Sequence, residues 1–249
     1  MAAPLDLTIV IPAFNEEGRI GATLERLGAY LAPRPWQWEV VVVDDGSTDG
    51  TVRVAEQAAA ADGRVRVQRE PHRGKGGAVR AGLLASTAAH RFICDADLSM
   101  PVHELERFMP PALGAADVAI GSREGAGARR VGEPLLRHVT GRLFNLIVQR
   151  LAVPGIEDTQ CGFKMFTARA VETVFPHVTV EGWAFDIEVL FLARRAGLRI
   201  VEVPIEWHYR KESRLSMSRD ALGMLREVLQ VRARARAGGY GALPRGRPR

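Results

Sequence analysis

Three short apolar runs near the start of the chain end directly in polar clusters, and this pattern limits the possible folds more than any other feature. Residues 7–11 lead into 12–16, residues 39–43 into 44–47, and residues 91–94 into 95–97. Helical patterns separate the runs, and such alternation predicts an α/β fold with a doubly wound, mostly parallel sheet. Ligands of such sheets bind outside the carboxyl ends of the strands, so we expect the three clusters to share one crevice.

The spacing of apolar residues predicts the individual elements. Strands are expected at residues 6–12, 38–44, 64–69, 91–95, 117–122 and 199–207. Helices are expected at residues 16–32, 51–62, 76–89, 102–113, 134–152, 184–196 and 219–236, the last with Ser218 as its cap. The helix at 134–152 is amphipathic, and its apolar face consists of Leu136, Val139, Leu143, Leu146, Ile147 and Leu151.

The composition is typical of one larger α/β domain. The 249 residues are 47% hydrophobic and 25% charged, which are ordinary values for a globular protein. Two cysteines, Cys94 and Cys161, give no disulfide framework, so a reducing cytoplasm is expected. No run reaches the roughly 18 apolar residues that a bilayer span requires, and the N-terminus lacks a signal-peptide pattern.

Charge is distributed unevenly along the chain. Residues 1–120 hold 12 basic and 16 acidic side chains, whereas residues 121–249 hold 22 basic and 13 acidic ones. A basic half indicates an anionic partner such as phosphate or acidic lipid, although a solvated arginine-rich surface explains the same pattern. No recognition helix or aromatic-interleaved basic strand supports nucleic acid as the partner. Residues 232–249 contain six arginines and no acid, and we expect this tail to be disordered.

Asp95 and Asp97 form the strongest candidate metal site. Two carboxylates at positions i and i+2 after a buried strand offer the hard oxygen ligands that Mg²⁺ or Mn²⁺ prefers, with waters and phosphate oxygens as the other ligands. For an isolated Asp-x-Asp, an Asx turn that closes the strand is the favoured explanation. The two further polar clusters at strand ends favour the functional interpretation.

Two helix entries carry the other candidate binding groups. A turn at residues 44–51 explains Gly46 and the Ser and Thr caps. It does not explain the adjacent carboxylates Asp44 and Asp45, one of which could accept a nucleobase N–H. Residues 74–76 open a helix with Lys75, and helix-start amides plus an ammonium could cradle phosphate, or serve structure alone. The spacing is not that of a P-loop or a Rossmann fingerprint, so a Walker ATPase and a Rossmann dehydrogenase are rejected.

The motifs together resemble a known family. Residues 12–16, 44–47, 74–76, 95–97 and 121–123 read Pro-Ala-Phe-Asn-Glu, Asp-Asp-Gly-Ser, Gly-Lys-Gly, Asp-Ala-Asp and Gly-Ser-Arg. Their order resembles the family 2 glycosyltransferases, which have the GT-A fold. Further motifs resemble the polyprenyl- or dolichyl-phosphate sugar synthases, and most of all the dolichyl-phosphate β-glucosyltransferases; they lie at residues 158–166, 182–188 and 203–205. The resemblance covers roughly residues 6–220.

This resemblance implies an inverting, metal-dependent enzyme. It would move a hexose, most readily glucose from UDP-glucose, to a polyprenyl or dolichyl monophosphate at the cytoplasmic face of the membrane. The catalytic domain would span residues 1–231, with a nucleotide-sugar half at 6–122, an acceptor half at 123–231 and C-terminal amphipathic helices. A GDP-mannose donor, another acceptor, or a binding partner without catalytic activity remain alternatives.

The resemblance also implies roles for single residues. Pro12, Asn15, Glu16, Asp45 and Lys75 would hold the nucleotide, with Asp44 beside them. Asp95 and Asp97 would handle the diphosphate with Mg²⁺ or Mn²⁺, and Arg123 and Arg137 would bind the acceptor phosphate. Arg210 and residues 213–215 resemble a basic segment over the donor phosphates, with Arg214 where lysine is usual.

Asp158 is the best candidate for a general base or a sugar-orienting group, and a turn cap explains it nearly as well. The acceptor phosphate is already an anion near neutral pH, so a strong base is not essential. Attack in line with the leaving group would convert an α-linked donor into a β-linked product.

Membrane contact is expected to be peripheral, through the helices at 134–152 and 219–236 and the basic tail. Packing of both helices into the core is the competing expectation.

Overall fold

The computed structural model describes residues 4–210 and 217–243. Its strands are β1 (Leu7–Ala13), β2 (Trp38–Asp45), β3 (Val65–Glu70), β4 (His90–Ile93), β5 (Val118–Ser122), β6 (Arg129–Val131), β7 (Lys164–Thr167), β8 (Ile200–Pro204) and β9 (Glu206–His208). Its α-helices are α1 (Glu17–Leu31), α2 (Thr51–Ala61), α3 (Lys75–Ala85), α4 (Leu135–Leu151), α5 (Ala168–Val174), α6 (Phe185–Arg195) and α7 (Met217–Arg236). Short 3₁₀ helices occupy Val102–Phe108 and Phe175–His177.

The main sheet confirms the predicted doubly wound, mostly parallel α/β fold. Within the described residues it has seven strands in the order β3-β2-β1-β4-β7-β5-β8, and β7 is antiparallel to both of its neighbours. The chain runs outward from β1 through β2 to β3 and then returns to place β4 on the other side of β1. Strand order therefore reverses between β1 and β4, which is where such sheets form their ligand crevice.

Apolar side chains fill both faces of the sheet. In β2, Val41 and Val43 face the core beneath α3, α5 and α6, whereas Val40 and Val42 face the core beneath α1. Burial on both sides explains why the parallel strands are continuous apolar runs. Gly82 lets α3 approach closely, because a Cβ there would lie 2.6 Å from Val10 Cγ1.

Several elements differ from the sequence-based expectation. The predicted helix at 102–113 is a 3₁₀ helix that ends at Phe108, just before Pro110 and Pro111, which cannot continue a helical hydrogen-bond ladder. The single strand predicted at 199–207 is two strands, because β8 pairs with β5 whereas β9 pairs with β6 in a separate two-stranded sheet. Strands β6 and β7 and helix α5 were not predicted.

Helix α4 turns its apolar face outward. Leu136 is 80% exposed, whereas Phe144 and Val148 on the opposite side are buried. Packing of this face into the core is therefore not observed. The large apolar side chains exposed on α4 are Leu135, Leu136, Val139, Leu143, Leu146 and Ile147. Among the described helices, none combines the length and the apolar character that crossing a bilayer requires.

The expectation of a disordered tail from residue 232 onward is wrong for residues 232–243. Helix α7 continues through Arg236, and the following turn buries Tyr240 to 4% exposure in the core. Burial of this aromatic ring offsets the entropic cost of ordering an arginine-rich segment. Net charge alone does not reveal this contribution. Residues 244–249 lie outside the described residues.

Candidate active site

A cavity of about 410 Å³ opens at the carboxyl ends of β1, β2 and β4, where the three polar clusters were expected to meet. Most of the predicted donor-site residues line it, namely Pro12, Glu16, Asp45, Lys75, Asp95 and Asp97. They come from four separate loops, so the reversal of strand order brings them together.

Asn15 and Asp44 do not line this cavity. Asn15 has a positive φ of 52°, its Oδ1 accepts a hydrogen bond from the Thr48 N–H (2.8 Å), and its own N–H donates to Ser47 Oγ (2.8 Å). The Asp44 carboxylate accepts the Ser47 N–H at 3.2 Å. These two residues therefore fasten the loop after β1 to the loop after β2 and shape the rim of the cavity.

The Asp45 carboxylate binds the backbone just before the N-terminus of α3. Its Oδ1 accepts the Arg73 N–H (2.8 Å) and its Oδ2 accepts the Gly74 N–H (2.9 Å). The N–H groups of Gly76 and Gly77 donate to the Glu181 carbonyl at 2.8 and 3.3 Å. Protein oxygens therefore take the amides of Gly74, Gly76 and Gly77, which favours the structural interpretation of this helix start.

Phe14 and His72 form a stacked pair that the sequence did not single out. Their ring centres are 4.3 Å apart at an interplanar angle of 21°, and both rings line the cavity. His72 Nδ1 lies 2.8 Å from Asp45 Oδ2. A flat aromatic surface beside a carboxylate is suited to a heterocyclic ring. The adjacency of His72 to the Gly-Lys-Gly motif was the signal that could have identified it.

Lys75 and the aspartate pair form the floor of the site. Lys75 Nζ donates to Asp95 Oδ1 at 2.5 Å, and Asp97 Oδ1 accepts the Ser99 N–H at 2.9 Å. Burial by itself lowers the pKa of Lys75, but Asp95 and Asp186 raise it above its ordinary value. Burial raises the pKa of Asp97, and the nearby negative charge of Asp95 raises it further.

A divalent cation fits the chemistry of this pair. Within the described residues no cluster of three metal-ligating His, Cys, Asp or Glu side chains occurs, so the protein offers the two carboxylates of Asp95 and Asp97. The raised pKa of Asp97 reflects desolvation and repulsion, both of which a cation would relieve. Mg²⁺ and Mn²⁺ commonly bind one or two carboxylates and complete their shell with water and phosphate oxygens.

Gly162 holds the Asp95 carboxylate in place by having no side chain. A Cβ on Gly162 would lie 1.7 Å from Asp95 Oδ2, closer than any atoms can approach without a bond. Gly162 belongs to the loop before β7, so the position of this unpredicted strand places Gly162 against Asp95. Lys164, at the start of β7, is fully buried and donates to Asp186 Oδ1 at 2.7 Å.

Arg123 and Asp158 form a bidentate ion pair beside the floor. Arg123 Nε and Nη2 donate to the two Asp158 oxygens at 2.7 and 2.8 Å. Burial would raise the pKa of Asp158, but the Arg123 guanidinium outweighs it and lowers that pKa to about 2. A carboxylate so weakly basic does not suit the expected general-base role. Its oxygens contact the Arg123 guanidinium, and its Oδ1 also accepts the Gln160 N–H at 3.3 Å, as the turn-cap interpretation expects.

A smaller cavity of about 90 Å³ adjoins the first and collects positive charge. Arg123, Arg137 and Arg210 line it together with Lys75 and the aspartate pair, so the residues predicted for acceptor and donor phosphates do meet. Arg137 lies over the Tyr209 ring at 5.1 Å. Trp183, which the sequence analysis left without a role, lines both cavities. Residues 213–215 lie outside the described residues.

Comparison of the sequence with known families agrees with this geometry. The model of the family described as "Glycosyl transferase family 2" matches residues 8–175. A dolichyl-phosphate beta-glucosyltransferase of Trichomonas vaginalis is 34% identical over 243 residues, which cover 93% of this chain and 72% of that protein. The human dolichyl-phosphate beta-glucosyltransferase is 33% identical, with 94% of this chain and 77% of that protein covered.

Solved structures show the same fold at lower identity. Glucosyl-3-phosphoglycerate synthase from Mycobacterium tuberculosis in complex with UDP superposes with a TM-score of 0.65 at 21% identity, covering 94% of this chain and 80% of that one. The same enzyme was crystallised with Mn²⁺, UDP and glucosyl-3-phosphoglycerate, and that structure has a TM-score of 0.64 at 21% identity, with the same coverage. Mannosyl-3-phosphoglycerate synthase from Rubrobacter xylanophilus has a TM-score of 0.64 at 20% identity, covering 96% and 76% of the two chains.

Proposed function

This chain belongs to glycosyltransferase family 2, and from this premise we propose that it transfers glucose from UDP-glucose to the phosphate of a polyprenyl lipid such as dolichyl phosphate. The observation that carries the proposal is the pair of adjoining cavities. One offers an aromatic pair and carboxylates to a nucleotide sugar, and the other offers arginines to a second phosphate. Lys75 and Asp97 lie at their junction, where donor and acceptor would meet.

The donor would lie across the larger cavity. Its uracil ring would rest near Phe14 and His72, and its diphosphate would point toward Lys75. Asp95 and Asp97 would hold Mg²⁺ or Mn²⁺, which when bound neutralises negative charge on a departing diphosphate. Lys75 adds a fixed positive charge to the same region in a partly dehydrated site, where such charges stabilise a leaving group most effectively.

The acceptor phosphate would bind to Arg123, Arg137 and Arg210. The carboxylate of Asp158 fixes the Arg123 guanidinium, so the N–H groups of this arginine are oriented before the acceptor phosphate binds. Because a phosphate monoester is already ionised near neutral pH, its oxygen can attack the sugar without a general base. Attack from the side opposite the diphosphate inverts the anomeric carbon and gives a β-linked product.

Helix α4 would bring this site to the membrane surface on the cytoplasmic face. Its exposed leucines and valine can enter the headgroup region, while Arg142 and Arg150 on the same helix can face anionic lipid. Leu222 and Leu229 of α7, which packs against α4, are also exposed and would add apolar contacts with lipid. The protein would thus associate with the membrane peripherally.

The test is a transfer assay with polyprenyl monophosphate, Mg²⁺ or Mn²⁺, and radiolabelled UDP-glucose and GDP-mannose in parallel reactions. We expect lipid-extractable label from UDP-glucose. Label from GDP-mannose alone would replace the proposed donor. Binding of UDP without transfer to lipid, in reactions where a control transferase is active, would refute the proposed acceptor.

A further inference from the structure

The loop at residues 178–184, here termed the Trp183 loop, forms one wall of the donor cavity. Gly182 and Trp183 line the cavity, and the Trp183 ring centre lies 5.6 Å from Lys75 Nζ. The Glu181 carbonyl accepts the N–H groups of Gly76 and Gly77 at 2.8 and 3.3 Å. The position of this loop therefore affects both the cavity wall and the helix start that carries Lys75.

The Trp183 loop is attached at its beginning to a buried carboxylate. Glu188 of α6 is fully buried, and its Oε2 accepts the N–H groups of Thr179 (2.8 Å) and Val180 (2.7 Å). Its Oε1 accepts the Thr179 hydroxyl at 2.8 Å and the Tyr240 hydroxyl at 2.5 Å. Burying a carboxylate is costly unless donors satisfy its oxygens, and Tyr240 supplies one of these donors from a distant part of the sequence.

The end of the loop is attached to α7. Glu227 Oε2 accepts the Ala184 N–H at 3.3 Å. Glu227 also packs so closely against Gly182 that a Cβ there would lie 2.8 Å from Glu227 Oε1. The end of the Trp183 loop is thus held directly by α7, and its beginning is held by Glu188 of α6, which the turn after α7 contacts through Tyr240.

We propose that α7 and residues 237–243 act as a brace that holds the Trp183 loop against the donor cavity, with Tyr240 as a positioning residue that acts through Glu188. Tyr240 does not line the cavity, so its effect on the donor is indirect. The link to donor binding rests on the proposed function, whereas the mechanical link between Tyr240 and the loop does not.

Tyr240→Phe in the full chain tests the brace, because it removes the hydroxyl and keeps the buried ring. We expect hydrogen–deuterium exchange in peptides that cover residues 178–184 to become about tenfold faster, since a hydrogen bond to the buried Glu188 carboxylate is lost. Exchange in β1 and β2 should not change. The KM for UDP-glucose should rise about five- to tenfold with kcat within about twofold, because the loop lines the donor cavity.

Tyr30→Phe is the matched control. The Tyr30 hydroxyl donates to the His103 carbonyl on an exposed part of α1, and its loss should alter neither exchange in the loop nor KM. Unchanged exchange at 178–184 in Tyr240→Phe, or an equal increase in β1 and β2, would overturn the brace. Faster exchange confined to the loop would support the brace even if the unmodified protein showed no glucosyl transfer. Failure of the proposed function can therefore be distinguished from failure of the brace.

Discussion

Replacing Gly162 by alanine should displace the Asp95 carboxylate from the floor of the site. The new Cβ would lie 1.7 Å from Asp95 Oδ2, whereas real Cβ atoms essentially never approach other atoms within 3.0 Å. The carboxylate must therefore move by about 1.3 Å, the difference between these distances. A shift of this size should disrupt the contact of 2.5 Å between Lys75 Nζ and Asp95 Oδ1.

A misplacement of about 1 Å in an active site costs on the order of 100-fold in rate, or ~2.7 kcal/mol of activation free energy. We expect kcat of Gly162→Ala in the glucosyl-transfer assay to fall by about this factor. The displaced carboxylate borders a cavity and can rotate, so the unfolding temperature should fall by less than about 4 °C. Binding of UDP, measured by calorimetry, should weaken less than kcat, because Asp45 and Phe14 are not displaced.

Gly28→Ala in α1 is the control, since no atom lies within 4 Å of a Cβ at that position. It should retain full kcat and gain up to about 1 kcal/mol of stability from the better helix former. Wild-type kcat in Gly162→Ala would refute the reasoning, because it would mean that transfer does not require the Asp95 carboxylate at its observed position.

Asp97→Asn should separate stability from activity. Desolvation and repulsion by Asp95 raise the pKa of Asp97, so the variant with an uncharged amide should have the same or a higher unfolding temperature, measured by calorimetry. Its glucosyl transfer, measured in the transfer assay, should fall at least about 100-fold. Asp158 has a folded-state pKa of about 2 against an ordinary value of 3.8, so its contribution to stability is present above about pH 4 and is lost as the pH falls through 2. Urea unfolding across that range should show a loss of about 2 kcal/mol in the unmodified protein that is missing in Asp158→Asn. Leu136→Glu combined with Leu143→Glu should abolish flotation with anionic liposomes and change stability by less than about 1 kcal/mol, because both side chains are exposed. A double variant that still floats contradicts the membrane role of α4.

The location of the site could be predicted because it depends on local signals. Each polar cluster follows an apolar run, and alternating strands and helices imply that the carboxyl ends of those strands meet. The structure brings Asp45, Lys75 and Asp95 to one cavity for this reason. The roles of single residues were harder to predict. Asn15 and Asp44 do not line the cavity, although each is adjacent in sequence to a residue that does, Glu16 or Asp45.

The remaining features depend on contacts between distant parts of the chain. The amides at the start of α3 looked available for phosphate, but the Glu181 carbonyl occupies two of them from more than 100 residues away. Strand β7 is too short to show a period of its own, and it places Gly162 against Asp95 only by inserting between β4 and β5. Composition predicted disorder near Tyr240, and nothing local indicates that its hydroxyl meets Glu188.

Arg137 and the exposed leucines of α4 belong to one rigid helix, and this arrangement has a kinetic consequence. Residues in an α-helix rise by about 1.5 Å each, so Arg137 and Ile147 lie about 15 Å apart along one axis with no hinge between them. A protein docked through this helix would meet a lipid phosphate at the height of the headgroups and leave the hydrocarbon chain in the bilayer. The search for the acceptor would then be two-dimensional, and turnover would depend on the number of acceptor molecules per unit area of membrane rather than on their bulk concentration.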